Sequence, residues 1–219
     1  MTEHRLLGEF LAILSKEDKE SCVSWALGKL ESGELDIITL YSEILTPAQN
    51  ELVCWQDEPF CIWREHVRTS IVRTVLECCF PHVLRERGKR SGASNRKAII
   101  GCPAEEYHEI GARMVADYFT IMGFDVTFVG ANTPQKELMA ALEHVRPVVI
   151  GISVTNFYNL VAAKRLVADL RRIRAEKTLD FRIIVGGNAF RHNPDAHADM
   201  GADALLQSFG DIEKYCQGV

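Results

Sequence analysis

No stretch of this chain stays apolar for the roughly 18 residues that a membrane-crossing helix needs. The opening MTEHRLLGEF sets acidic residues among its first apolar ones, where a secretion signal would have a long hydrophobic core. A membrane span and an export route are therefore not expected, and a cytoplasmic protein is. Concentrated positive charge is missing too, since 25 Lys and Arg against 30 Asp and Glu leave a formal net charge of -5. Coating a nucleic acid takes a dense basic surface to neutralise phosphates, so any role at DNA is expected to be indirect. The seven cysteines, Cys22, Cys54, Cys61, Cys78, Cys79, Cys102 and Cys216, are odd in number and form no zinc-type C-x-x-C pair. Most fall in apolar stretches, where a thiol packs as a small hydrophobe, and this suits a reducing compartment. Internal repeats and low-complexity segments are absent. What is there, 219 residues of which 47% are hydrophobic and 25% charged, is ordinary globular composition with room for two small domains.

The first domain, expected over 1–84, reads as helices throughout. HRLLGEFLAIL places Leu6, Leu7, Phe10, Leu11 and Leu14 at helical spacing, and the next helix begins near a possible cap, Ser15, and stops at Gly33. ELDIITLYSEIL follows the cap candidate Asp36, and TPAQNELVCW sets a proline at a first helical position, where its missing N–H costs little. FCIWREHVRTSIVRTVLECCF then runs for about five turns before Pro81. Short helices on short loops predict a four- to five-helix antiparallel bundle. Residues 85–97, RERGKRSGASNRK, hold six basic residues and one acidic residue with no large apolar side chain, and are expected to be a linker. From 98 to 219 the rhythm becomes strand then helix: AIIGC, a helix from His108 to Met122, DVTFVG, a helix in PQKELMAALEHV, PVVIGISV, a helix from Leu160 to Ala175, FRIIVGG and ADALL. That alternation predicts an α/β domain with a flavodoxin-like five-stranded parallel sheet.

In such a sheet the ligand site lies beyond the C-terminal strand ends, and each end here is unusual. The first strand leads to Glu106 and His108, the third ends at Ser153 and Thr155, and the fourth ends at Gly186 and Gly187. Small residues at the tops of adjacent strands remove bulk, so a narrow slot is expected there with His108 at its mouth.

This pattern resembles the cobalamin-binding domain of the methionine-synthase type, whose signature is Asp-x-His-x-x-Gly, about 41 residues, Ser-x-Leu, under 30 residues, and Gly-Gly. The chain has Glu106-Tyr-His108-Glu109-Ile-Gly111, 41 intervening residues, Ser153-Val-Thr155, 30 residues, and Gly186-Gly187. The resemblance implies that His108 binds cobalt from below in place of the cofactor's own base, and that the nucleotide tail enters a slot framed by Ser153, Thr155, Gly186 and Gly187. It implies that Glu106 accepts a hydrogen bond from the other ring nitrogen, that Glu109 lies in the same loop, and that Gly111 lets the corrin approach. Asn188 and Phe190, which follow the slot, and Ser208 and Gly210 after the last strand, are expected contacts of the tail or the corrin rim. His192 lies close by in sequence. Glu for Asp, Thr155 for leucine and the longer last spacing depart from the family. A haem-binding variant of the fold would also use His108.

In the bundle, Trp55 is followed after nine residues by Glu65 and His66. This resembles the bundle motif of light-sensing cobalamin regulators of the CarH kind, in which a tryptophan packs on an adenosyl group and a Glu-His pair contacts it. An aromatic face with polar hydrogen-bonding partners suits an adenosyl group, whereas a methyl group needs neither. The resemblance therefore implies 5'-deoxyadenosylcobalamin. The residue after Trp55 is Gln56, where the CarH kind has a histidine that can capture cobalt after photolysis, so His66 is the alternative upper ligand. The sequence begins at the bundle with no winged-helix DNA reader, which is similar to the PpaA/AerR kind of antirepressor. The expectation is a non-enzymatic, light-responsive transcriptional regulator acting through a partner repressor. The alternatives are a corrinoid methyl-carrier subunit and a haem-binding redox sensor.

Overall fold

The computed structural model describes residues 2–51, 60–90, 92–191 and 193–218, and the chain divides into two compact units, Met1–Glu86 and Arg87–Val219. In the first unit, helix α1 (Thr2–Leu14) buries Leu6, Phe10 and Leu14, one per turn on a single face. Phe10 meets Trp25 of α2 (Lys19–Ser32) with ring centroids 5.4 Å apart. The cap of α2 is Asp18, which accepts from the Ser21 N–H and hydroxyl, and not Ser15, whose hydroxyl donates to the Ala12 carbonyl at the end of α1. Gly33 ends α2 in the left-handed region at φ 73°.

Asp36 caps the next helix as expected, accepting from Thr39 N–H at 2.7 Å. The two helices expected over 34–55 form one continuous run: α3 (Ile37–Thr39) passes into a π-helical turn, Leu40–Leu45, and then α4 (Thr46–Asn50). Pro47 has no N–H for the preceding turn and its ring crowds that turn's carbonyl, and the wider π turn before it absorbs the mismatch. Helix α5 (Cys61–Arg90) does not stop at Pro81. Val75, Leu76, Cys79 and Val83 are buried on both sides of the proline, and this packing outweighs one lost backbone bond. The expected linker over 85–97 is accordingly helical through Arg90.

Cys22, Cys79, Cys102 and Cys216 are buried thiols, in keeping with their apolar context, while Cys78 is exposed. Cys61 is disulfide-bonded, which departs from the expectation of free thiols in a reducing compartment. Among the described residues no helix is long and apolar enough to cross a membrane.

The second unit is the flavodoxin-like parallel sheet that the alternation predicts. It contains β1 (Lys97–Gly101), α6 (Ile110–Ile121), β2 (Asp125–Gly130), α7 (Gln135–Val145), β3 (Val149–Ser153) and α8 (Leu160–Glu176). It continues with β4 (Arg182–Gly186), α9 (Ala196–Met200), β5 (Ala204–Leu205) and α10 (Phe209–Gln217). The strand order is β2-β1-β3-β4-β5, with every pairing parallel. Ile99, Ile150, Ile152, Ile183 and Val185 point to one face and pack with Leu138 and Leu142 of α7 and Leu166, Val167 and Leu170 of α8. Helices α6 and α10 meet through Tyr118 and Phe209, with centroids 5.1 Å apart. Burial on both faces explains why β3 reads as an unbroken apolar run. The order reverses between β1 and β3, so a crevice forms where the loops leaving those two strands diverge.

Candidate functional site

Glu106 joins the two loops that flank this crevice. Its side chain is completely buried. One oxygen, Oε1, accepts from the backbone N–H of His108 at 3.0 Å and lies 2.6 Å from His108 Nδ1. The other, Oε2, accepts from the backbone N–H groups of Thr155 and Asn156 at 3.0 and 2.9 Å and from Asn159 Nδ2 at 3.1 Å, all on the loop after β3. Burial alone would push this carboxyl upward, but the bonds from His108, Asn156 and Asn159 outweigh it and hold it down at about 2. The loop after β1 is fastened on its other side as well, because Asn132 accepts from the Glu105 N–H at 2.9 Å and donates its own N–H to the Glu106 carbonyl at 2.9 Å. Glu109 accepts from the Ala131 N–H at 2.9 Å, which ties the start of α6 to the loop after β2.

A carboxylate ionised at any physiological pH fixes the His108 tautomer. The Nδ1 proton goes to Glu106, and the lone pair is then on Nε2. The His108 side chain is 55% exposed, so the imidazole, held to Glu106 through Nδ1, is accessible to solvent. Gly111, in the first turn of α6, has nothing within 4 Å of the place a Cβ would take. The chain's own packing does not require a glycine there. On the same two loops Tyr107, Phe157 and Tyr158 are 66%, 64% and 82% exposed. Three outward-facing rings are a costly surface to leave in water unless a ligand with a broad apolar face covers them.

A family model of the B12 binding domain matches residues 96–212, more than half of the chain. The chain belongs to the B12-binding family. It is similar to two repressors of Myxococcus xanthus. One is the HTH-type transcriptional repressor CarA, 26% identical over 139 residues that are 64% of this chain and 45% of CarA. The other is the HTH-type transcriptional repressor CarH, 26% identical over 160 residues that are 69% of this chain and 48% of CarH. The chain thus spans about half the length of the curated relatives it matches. The solved structure of the Methanosarcina barkeri monomethylamine corrinoid protein is similar with a TM-score of 0.76 at 14% identity, covering 99% of each chain. At that identity the likeness is one of fold, and its coverage includes the helical unit.

The cofactor class of a B12-binding domain is cobalamin, and the residues present fit it. An anchored, exposed imidazole suits a single axial nitrogen ligand, and open space at Gly111 with the exposed rings suits a large flat macrocycle. Sequence reasoning named His108, Glu106 and Gly111 and passed over Asn156, Asn159 and the three rings, which the structure places on the same two loops. Their signal was TNFYNL, two asparagines and two aromatics directly after Ser153-Val-Thr155, together with Tyr107 inside the histidine motif.

Other expected residues of the B12-binding domain have different tasks. Thr155 acts through its backbone N–H on Glu106, and Ser153 pairs with Gly186 across the β3–β4 ladder. At Gly186 a Cβ would lie 2.3 Å from the Leu206 carbonyl oxygen, and at Gly187, with φ +105°, 2.4 Å from that of Val154. Backbone fills the space that the slot argument left open, so the pair is needed by the chain itself. An apolar cleft is found instead among Gly101, Cys102, Val129, Gly151, Leu138 and Leu166, between the sheet and helices α7 and α8. Phe190 is fully buried in the core and cannot line a cofactor rim, while Asn188 beside it is exposed. Ser208 caps α10 by accepting from Asp211 N–H, with Gly210 exposed in the first turn. In the helical unit the Glu65 side chain is 31% exposed and that of His66 74%, with Nε2 3.5 Å from Glu65 Oε2. Trp55, Gln56 and His192 lie outside the described residues.

Proposed function

We propose that this chain is a light-responsive regulatory protein that binds 5'-deoxyadenosylcobalamin, acts through a partner transcription factor in the manner of an antirepressor, and is not a catalyst. The observation that carries the reading is the buried Glu106 holding an exposed His108 on a B12-binding domain, taken with the upstream pattern Trp55-x9-Glu65-His66. His108 would hold the cofactor's cobalt through Nε2, with Glu106 keeping the ring in place by its Nδ1 proton. Glu65 offers a carboxylate to the hydroxyl and amino groups that an adenosyl group has and a methyl group lacks. When bound, adenosylcobalamin supplies a cobalt–carbon bond that visible light breaks. Similarity to CarA and CarH supports a regulatory role. The test is to illuminate the adenosylcobalamin complex in air and follow its visible spectrum and its elution volume; an unchanged spectrum removes the photoreceptor reading.

A corrinoid methyl carrier is the second reading, favoured by the whole-chain fold likeness to the monomethylamine corrinoid protein. Tight binding of methylcobalamin, with methyl loading by a partner methyltransferase, would select it.

A further inference from the structure

On α5, Ile62, Glu65, His66 and Thr69 fall at i, i+3, i+4 and i+7, so Glu65 and Thr69 are neighbours on one helix face. Thr69 Oγ1 lies 3.2 Å from Glu65 Oε1 and also 3.2 Å from Oε1 of Gln49 on α4. A hydroxyl has one proton to donate, and both of these oxygens are acceptors. One of the two short distances therefore has no hydrogen in it. At the far end of the same amide, Gln49 Nε2 is buried with no hydrogen-bond partner, although a buried donor is costly to leave unpaired. Turning the amide over resolves the first conflict and exchanges the second for a milder one, because the amide oxygen then takes the partnerless position and an unpaired acceptor is better tolerated than an unpaired donor. Nε2 then reaches Thr69 Oγ1 as a donor, and the hydroxyl proton is released to Glu65.

We propose that Gln49 and Thr69 are positioning residues that form a one-way relay, Gln49 Nε2–H to Thr69 Oγ1–H to Glu65 Oε1, which fixes the Glu65 carboxylate for selecting an adenosyl upper ligand. The relay occupies Oε1 and leaves Oε2, 3.5 Å from the exposed His66 ring, as the oxygen that meets a ligand. A carboxylate held at one oxygen loses less rotamer freedom on binding than one that swings, and this is what preorganisation contributes to affinity. The inference rests on the adenosyl reading of Glu65.

The test compares the dissociation constants of adenosylcobalamin and methylcobalamin, in darkness, for the full chain and its variants. The readout is the preference for adenosylcobalamin, with a thermal melt alongside. Glu65→Gln should lower the preference about tenfold or more, as expected for a bond to a charged group. Thr69→Val and Gln49→Leu should each lower it about two- to tenfold with methylcobalamin affinity unchanged, and Thr69→Ser should retain it. Because the bonds act in series, the double variant should be no worse than Thr69→Val alone. If Glu65→Gln lowers the preference while Thr69→Val and Gln49→Leu leave it at the parent value, or weaken both cofactors equally, the relay is wrong. If Glu65→Gln itself has no effect, the adenosyl reading of Glu65 fails and the relay with it.

Discussion

Replacing Glu106 with glutamine keeps the shape of the side chain and removes its charge, which isolates what the carboxylate does. Five N–H groups converge on its two oxygens, two from His108 and three from Thr155, Asn156 and Asn159. Whichever oxygen becomes the amide NH2, donor then faces donor, and two or three bonds are lost. Bonds to a charged group are worth about 1.5–3 kcal/mol each, so the loss is about 3 kcal/mol or more. Linkage gives a similar figure: the carboxyl is lowered from 4.5 to about 2, and at about 1.4 kcal/mol per pH unit this is about 3 kcal/mol of stability. The sign follows from the depressed value. The contribution is complete above about pH 5 and is lost as pH falls through the folded value near 2. Urea denaturation of the cofactor-free protein, followed by far-UV circular dichroism, should show Glu106→Gln less stable by about 3 kcal/mol at pH 7, with the gap narrowing between pH 5 and 3. A gap below about 1 kcal/mol, or one that ignores pH, would refute this account of the site.

Gly187→Ala should cost about 3 kcal/mol, because the residue sits at φ +105° with the Val154 oxygen where the methyl must go. A melting temperature within 2 °C of the parent would contradict it. Gly111→Ala should do the opposite to the cofactor-free protein, raising stability by about 0.5–1 kcal/mol, since the site is open and a glycine loses more backbone entropy than an alanine on entering a helical turn. The same change should weaken cobalamin binding, and a titration showing unchanged affinity would mean that Gly111 is not clearance for the corrin.

The sheet was legible because each buried strand is a short apolar run set between amphipathic helices, and β3 and β4 match that pattern residue by residue. Helix ends were harder to read. Ser15 and Asp18 are equally good caps on paper, and only the end of α1 decides that Ser15 is already used. Pro81 reads as a stop, but buried contacts on both sides carry α5 past it, and no local signal encodes those contacts. In the site, the pairing of His108 with Glu106 was legible because the two lie two positions apart in one loop. The partners of Glu106 across the crevice lie about 50 positions away, at Thr155, Asn156 and Asn159, and become visible only once β1 and β3 are adjacent. The glycine pair was legible as special but not in its task, because a glycine that makes space and one that permits backbone contact look alike in sequence. Phe190 was misplaced for a similar reason: its position after the pair suggested a rim, and the short turn Asn188–Phe190 folds it into the core.

The central claim is that His108, oriented by Glu106, supplies the lower ligand of a bound cobalamin. It is tested most directly by titrating the parent protein and His108→Ala with adenosylcobalamin in darkness while recording the visible spectrum. The account predicts that His108→Ala folds normally but binds more weakly, or binds with the cofactor's own base still on cobalt. The same affinity and the same spectrum for both proteins would contradict it.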